Sequence, residues 1–181
     1  NNLDFVISEK INSKNIEEFK KIYFKLMNKK KADDNYYFDD NYFDNLLFKL
    51  PNNTGMISVI HKNKLIGAII YLRFDTKIHI HLSAVDVEFR NKGISYVLRS
   101  HIFKLFQKTN YILNFGGGLQ NSESDSLFKF KYGFSDKTKD YYIGKVITDM
   151  KKHNHFKKMT YNKYGDQYIN MHMPYSFYKS Y

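Results

Sequence analysis

A short basic loop in the middle of the chain has the residue types of an anion-binding site. It leads into a helical segment that begins near Tyr96, and it consists of Arg90, Asn91, Lys92, Gly93, Ile94 and Ser95. Unpaired backbone N–H groups and the positive end of a helix dipole attract an anion at such a junction. Gly93 lets the backbone come close to a phosphate, while Arg90 and Lys92 add positive charge. An ordinary turn between a strand and a helix has a similar sequence.

Three consecutive glycines, Gly116, Gly117 and Gly118, form a second unusual stretch in a chain that has nine glycines. Because glycine lacks a side chain, such a run leaves space that side chains would otherwise fill. A bulged strand end with positive φ angles accounts for one or two of them. Three indicate close approach by a ligand, and both explanations can hold together.

Two histidines, His79 and His81, share one face of a predicted strand because strand side chains alternate. Such a pair can bind a metal ion or act as a general base. No third ligand is evident in the sequence, so we predict no metal site and interpret both histidines as partly buried, hydrogen-bonded side chains.

Acidic residues supply further candidates. Asp86 follows a predicted strand, where it can act as a base through a water molecule or cap the next loop. Asp125 precedes Ser126 at a predicted helix start, which favours an N-cap over a catalytic role. The run His153 to His155 is interpreted as an exposed basic segment and not as a nuclease-like site.

The composition indicates a soluble, cytoplasmic protein. A chain of 181 residues can bury a core without a disulfide or a metal, and the lack of cysteine excludes thiolate metal sites and a cysteine nucleophile. The longest apolar run, Leu65 to Leu72, is too short to span a bilayer. We therefore predict no transmembrane segment, and the N-terminal residues lack a signal-peptide pattern.

The formal net charge is +11, from 29 Lys and Arg against 18 Asp and Glu. This charge is enough to attract phosphates, nucleic acid or an anionic membrane surface. The lysines are spread along most of the chain, so we interpret the local runs at 29–31 and 151–158 as solvated faces.

The hydrophobic pattern predicts the order β α α β β β α β α β, without a repeat or a low-complexity linker. Strands are expected at 3–11, as three segments within 55–89, at 111–115 and at 140–147, and helices at 15–30, 39–50, 95–108 and 125–134. Asn15 is the candidate N-cap of the first helix, with Glu17 and Glu18 in its first turn. The second helix ends before Pro51. This order predicts an α/β fold with a mixed sheet between helices.

The loop after the fourth strand resembles the acyl-CoA-binding motif of the GNAT superfamily, Q/R-x-x-G-x-G/A. Arg90, Gly93 and Ser95 occupy its three specified positions, with serine in place of the usual glycine or alanine. The element order also matches the GNAT fold, a mostly antiparallel sheet with splayed central strands and flanking helices.

The resemblance implies an acyl-CoA co-substrate whose pyrophosphate lies on the N–H groups of residues 90–95. Its pantetheine is then expected to run along the fourth strand, about Ala84 to Val87, with contacts to Val85 and Val87. Gly116 to Gly118 would lie where GNAT strands splay apart and admit the acyl group, so we assign them to the substrate.

Several segments resemble the FemABX group of GNAT-fold transferases, namely KKKADDNYYFDDNYF, IHIHLSAVDVEFRNKG and NFGGG with DSLFKFKYGFS and YYIGK. FemABX enzymes add amino acids from aminoacyl-tRNA to the peptide of peptidoglycan precursors. The resemblance covers about residues 3–149. Because FemABX proteins carry two GNAT-like domains, we expect either one GNAT-like domain over 1–181, with an extension from 150, or the second domain of a longer protein.

The later helix of an ordinary GNAT enzyme carries Y-x-K-x-G-F, whose tyrosine is a candidate acid near the thioester sulfur. Lys129 takes the tyrosine position here. We predict that its cation stabilises the oxyanion or the leaving group, unless it faces solvent. Lys131 is assigned to substrate binding, and Tyr132 is the alternative proton donor.

Two function classes follow. The first is an N-acyltransferase that moves an acyl or aminoacyl group from acyl-CoA or aminoacyl-tRNA to an amine, on a cell-envelope or sugar-nucleotide precursor. The second is a non-catalytic, basic module that keeps the fold and binds nucleic acid or acts as a scaffold. The loop at 90–95 favours the enzyme, whose partners are the acyl donor, the amine acceptor and, for an aminoacyl donor, tRNA.

Overall fold

The computed structural model describes residues 3–119, 122–135, 137–140, 142 and 146–165. Two compact units divide the chain, residues 1–136 and residues 137–181. That residues 1–181 act as one domain, or as the second domain of a longer protein, stays a prediction.

The first unit alternates strands and helices in the predicted order. Its strands are β1 (Val6–Ser8), β2 (Thr54–His61), β3 (Lys64–Phe74), β4 (Lys77–Val85) and β5 (Ile112–Asn114). Its α-helices are α1 (Ser13–Lys30), α2 (Asp40–Asp44), α3 (Ile94–Phe106) and α4 (Ser126–Tyr132). A π-helical turn, Asn45–Lys49, continues α2, and 3-10 turns lie at Asp34–Tyr36 and Val87–Lys92.

The five strands form one mixed sheet in the order β1-β2-β3-β4-β5. Neighbours from β1 to β4 are antiparallel, and β5 joins β4 in parallel after the crossover through α3. Between β2 and β3, Lys62 and Asn63 have positive φ angles of 47° and 61°, as a two-residue type I′ turn requires. This architecture confirms the predicted α/β fold class.

The sheet separates two hydrophobic cores because the side chains of β3 alternate. Ala68 and Ile70 belong to the core formed with α1 and α2. Ile69 and Tyr71 belong to the core formed with α3. A strand that is buried on both faces has a nearly continuous apolar sequence, which is why the run from Leu65 to Leu72 stands out.

The first helix begins earlier than predicted. Asn12 is its N-cap and accepts a hydrogen bond from the Asn15 N–H at 2.8 Å, so Asn15 lies inside the helix and is buried. Glu17 and Glu18 consequently lie beyond the first turn. Ser13 and Lys14 are polar and add nothing to the hydrophobic pattern, so periodicity alone detects the helix only from Ile16.

Two further elements depart from the predicted order. Strand β1 covers only Val6–Ser8 of the segment predicted at 3–11. In the second unit, the basic segment forms a helix, α5 (Met150–Tyr164), whose N-cap Asp149 accepts from the Lys152 N–H at 2.9 Å. The strand predicted at 140–147 falls partly on residues 141 and 143–145, which lie outside the described residues.

Candidate active site

Strands β4 and β5 pair over three residues and then part. The last pair joins His79 to Asn114, and β4 continues to Val85 without a β5 partner among the described residues. The side chain of Asn114 accepts a hydrogen bond from the Gly116 N–H at 2.7 Å, and Gly116 has a φ of 68°. Beyond this pair, β4 and the glycine segment after Asn114 are no longer hydrogen-bonded as strands among the described residues, and we call the space between them the cleft.

Different physical reasons explain why each of the three positions is occupied by glycine. Gly116 is required by its positive φ. A side chain at Gly118 would come within 2.6 Å of the Asp125 carboxylate, so contacts inside the protein account for that glycine. A side chain at Gly117 would meet nothing within 4 Å. Internal contacts and backbone conformation therefore account for Gly116 and Gly118, and Gly117 has no such explanation; that the three glycines leave room for a ligand stays a prediction.

A β-bulge lies in β4 next to the cleft. Ile70 pairs with Leu82 while Tyr71 pairs with Ile80, so His81 is an extra residue in β4. A bulged residue is left out of the regular ladder, and its backbone groups become available to other partners. The bulge also lets Ile80 and Leu82 enter opposite cores.

The histidines of β4 face the same side of the sheet, as predicted. Their ring centroids are 6.1 Å apart, and His81 Nε2 forms a short hydrogen bond with the hydroxyl of Tyr42 from α2. Burial and the nearby Lys131 charge lower the pKa of His79, and burial together with His79 lowers the pKa of His81. Burial raises the pKa of Tyr42. Both imidazoles are therefore neutral near pH 7.

The short helix α4 brings one lysine to the glycine segment. Asp125 caps the helix by accepting from the Phe128 N–H at 2.7 Å, which confirms its predicted role. Lys131 Nζ donates to the carbonyl oxygen of Gly117 at 2.6 Å. Burial, followed by the charge of Arg99, lowers the Lys131 pKa.

The other two candidates on α4 have exposed side chains, since Lys129 is exposed and Tyr132 is half exposed. Lys129 thus has the solvent-facing orientation that the sequence left open, because two residues along a helix differ in direction by about 200°. The residue that reaches the cleft is Lys131.

The predicted anion loop has the expected backbone form. Gly93 has a φ of 73°, no side chain caps α3, and a side chain at Gly93 would meet nothing within 4 Å. The Tyr96 N–H donates to the Gly93 carbonyl at 2.9 Å. The N–H groups of Ile94 and Ser95 lie in the first turn, where they have no partner within the helix.

The side chains around this loop divide into two groups. Arg90, Asn91 and Lys92 are exposed and free to meet an anion. Ile94 and Val85 are buried in the core with α3, so only their backbones can line the site, while Val87 is partly buried.

Asp86 is an ion-paired residue that caps the turn after β4. It is 2% exposed, accepts from the Glu88 N–H at 3.2 Å, and lies 3.3 Å from Lys64 Nζ and 3.5 Å from Lys25 Nζ. Burial by itself raises the pKa of this carboxyl, but the Glu88 N–H and the two lysines outweigh it and hold the pKa below its ordinary value. An aspartate stabilised in this way is a poor proton acceptor.

The hydrophobic pattern missed two residues of this region. Arg99 is 5% exposed, lies 4.6 Å from the Phe130 ring centroid and 5.6 Å from that of Phe134, and thus joins α3 to α4. Burial lowers the Arg99 pKa to about 10. Tyr42 meets His81 from 39 residues away in sequence. The only signal for Arg99 was its position on the apolar face of α3, and Tyr42 had none.

No described group of three or more His, Cys, Asp or Glu residues is placed to hold a metal ion. None of the helices in the described ranges is long and apolar enough to cross a membrane.

Solved acetyltransferases share this fold at low sequence identity. A possible acetyltransferase from Clostridium difficile 630 superposes with a TM-score of 0.61 at 16% identity, covering 79% of this chain and 98% of its own. An aminoglycoside acetyltransferase from an uncultured soil metagenomic sample, in complex with sisomicin, superposes with a TM-score of 0.55 at 15% identity, covering 80% of this chain and 96% of its own. A ribosomal-protein-alanine N-acetyltransferase from Brucella melitensis biovar Abortus 2308 has a TM-score of 0.55 at 15% identity, covering 79% of this chain and 98% of its own.

No curated protein sequence matches the chain. The model of the Acetyltransferase (GNAT) family matches residues 16–134, which include the parted strands, the loop before α3 and helix α4. The chain therefore belongs to the GNAT acetyltransferase family.

Proposed function

We propose that this protein transfers an acetyl or similar acyl group from acyl-CoA to a primary amine. The observation that carries the proposal is the cleft where β4 and β5 part. Lys131 of α4 lies beside it. Strand β4, which forms one side of the cleft, leads on to the loop before α3. GNAT family membership supports the same reaction class.

The donor pyrophosphate is proposed to bind residues 90–95. Gly93 leaves open space at the start of α3, and the N–H groups of Ile94 and Ser95 have no partner within the helix. Arg90, Asn91 and Lys92 are exposed beside it, so they can contact phosphate oxygens. The pantetheine would follow the edge of β4 that has no β5 partner among the described residues, past Val85 and on to Val87 in the 3-10 turn, where backbone groups can offer hydrogen bonds.

Acyl transfer also needs a donor for the oxyanion that forms on the thioester carbonyl. The bulge at His81 supports a role for its backbone N–H, because a bulged residue is released from the strand ladder. We assign the electrostatic role to Lys131 in place of Lys129, since Lys131 reaches Gly117 while Lys129 is exposed. Tyr132 is half exposed and has no assigned role in this proposal.

The acceptor is proposed to be a primary amine on a small molecule or a peptide. Similar folds include an aminoglycoside acetyltransferase and a ribosomal-protein-alanine N-acetyltransferase, so both amine classes are suitable probes. Aminoacyl-tRNA as the donor and a cell-envelope acceptor, which the FemABX resemblance implied, stay predictions. We propose a cytoplasmic reaction, because acyl-CoA is a polyanion that does not cross a bilayer unaided.

Thermal unfolding with acetyl-CoA tests donor binding. A ligand that binds the folded chain raises the melting temperature. Gly93→Asp adds a negative charge to the loop and should abolish that rise, whereas Gly93→Asn is a matched control of equal size without the charge and should retain part of it. Aspartate and asparagine both tolerate a left-handed backbone, so both variants should fold.

Turnover is measured as release of the CoA thiol with three amine probes: sisomicin, a peptide with N-terminal alanine, and a peptide with an internal lysine. Donor binding with turnover of one probe supports the proposal. A melting temperature that stays unchanged at millimolar acetyl-CoA contradicts it. In that case, salt-sensitive binding to tRNA would favour the aminoacyl donor or the non-catalytic module.

A further inference from the structure

His79 stands where the two strands part. It forms the last pair with β5, through Asn114, and its side chain lies on the face of the sheet that also carries His81. The nearest side-chain atom of His79 is 3.7 Å from the position that a methyl group on Gly116 would take. His79 is neither exposed nor fully buried, so its ring borders the cleft and remains accessible from it.

The ring of His81 lies beside His79, and Tyr42 binds His81. His81 lies at the bulge and forms a hydrogen bond with the hydroxyl of Tyr42. The Tyr42 ring stacks on that of Phe38, with ring centroids 4.1 Å apart. Tyr42 also packs edge-on against the buried Phe43. The orientation of His81 is therefore set by side chains of the α2 region, and its ring lies beside that of His79, with centroids 6.1 Å apart.

We propose that His79 is the catalytic base of the acyl transfer and that His81 and Tyr42 are its positioning residues. The inference rests on the proposed function, because it assigns a residue to a step of that reaction. A ring nitrogen of His79 takes one proton from the acceptor ammonium group. The nitrogen lone pair attacks the thioester carbonyl carbon, and a C–N bond forms. The C–S bond then breaks, its electron pair stays on the CoA sulfur, and that sulfur takes the second proton of the nitrogen. His79 finally releases its proton to solvent.

Burial, and after it the nearby positive charge, favours the neutral form of His79. Within the described residues, His81 faces it from β4 and Lys131 from α4, while its neighbours on β3 and β5, Leu72 and Asn114, are uncharged. No acidic group contributes to the lowered pKa values of the two histidines. A neutral imidazole at pH 7 can accept a proton at once, which a protonated one cannot.

The first experiment follows the histidine ring C–H resonances by NMR while acetyl-CoA is added, and it needs no acceptor. His79→Gln and His81→Gln assign the signals. We expect acetyl-CoA to shift the His79 and His81 signals. Donor binding that leaves the His79 signal in place would overturn the inference but not the proposed function.

The second experiment measures turnover against pH with the amine probes named above. His79→Gln should keep the acetyl-CoA thermal shift, lower kcat roughly 100-fold or more, and remove the acidic limb of the profile, which burial and Lys131 should place below the ordinary histidine pKa in the wild type.

Tyr42→Phe should lower kcat less than His79→Gln and move the acidic limb, because it frees His81 without removing the base. Wild-type turnover and an intact acidic limb in His79→Gln would contradict the role of His79 but leave the proposed function in place. A wild-type protein that does not bind acetyl-CoA would remove the proposed function and, with it, the role of His79.

Discussion

Lys131 of α4 donates a hydrogen bond from Nζ to the carbonyl oxygen of Gly117 at 2.6 Å, so a short helix and the glycine segment that precedes it are joined at the mouth of the cleft. The bond holds a positive charge beside the point where β4 and β5 part. It also explains why the side chain of Lys131 is partly buried while that of Lys129, two residues earlier, is exposed.

Lys131→Met is expected to lower kcat by roughly 100-fold, comparable with the loss of one oxyanion donor, with little change in acetyl-CoA affinity. Lys129→Met is the matched control and should have turnover within a few-fold of the wild type. Thiol release and the acetyl-CoA thermal shift are measured for both variants. Equal and small losses for the two lysines would show that neither acts at the cleft.

The glycines should separate by substitution with alanine. Gly116→Ala should destabilise the protein by about 1–2 kcal/mol, because its φ of 68° is unfavourable for any residue with a side chain. Gly117→Ala should change the free energy of unfolding by less than about 0.5 kcal/mol, since its side chain enters open space. Urea denaturation measures both.

If a ligand approaches Gly117 closely, Gly117→Ala should also weaken acetyl-CoA binding, which calorimetry can measure. Unchanged affinity would mean that the open space at Gly117 is not used by the donor.

Arg99→Ala should destabilise the protein by about 1–3 kcal/mol, because Arg99 packs on two aromatic rings and donates to the Ser95 carbonyl at 3.1 Å. Lys104→Ala, at an exposed position of the same helix, should have little effect. Urea denaturation provides the comparison. Similar unfolding free energies for the two variants would argue against a structural role for Arg99 between α3 and α4.

Asp86→Asn should destabilise the protein at pH 6, by about 1–3 kcal/mol, because it removes the charge that Lys64 and Lys25 stabilise. The folded pKa of Asp86 is lowered from 3.8. Its contribution is therefore complete above that unfolded value and is lost as the pH falls through the folded pKa. Urea denaturation at pH 6 and pH 3 should show the difference from wild type shrinking at pH 3.

Glu88→Gln is the control for this comparison, because Glu88 is exposed and pairs only with Lys25 at 3.7 Å among the described residues. An Asp86→Asn variant as stable as the wild type at pH 6 would contradict the structural role of this carboxylate.

The element order up to α4 and the glycine turn before α3 could be predicted from the sequence because they depend on local properties. Apolar residues of β2 to β4 alternate or run continuously, polar turns separate them, and Gly93 provides the left-handed residue before α3. The cap of α4 was equally local, since Asp125 acts on an N–H three residues away. Asn12 was missed because a polar cap and polar first-turn residues carry no hydrophobic period.

Only the tertiary structure decided which polar side chains meet in the cleft. Lys129 and Lys131 are equivalent in sequence, and the packing of α4 through Phe130, Phe134 and Arg99 selects the face that carries Lys131. Tyr42 and His81 are 39 residues apart and meet because α2 packs on the sheet beside the bulge. Local sequence determines elements and their ends, whereas contacts between distant side chains depend on packing angles and register, which no short segment encodes.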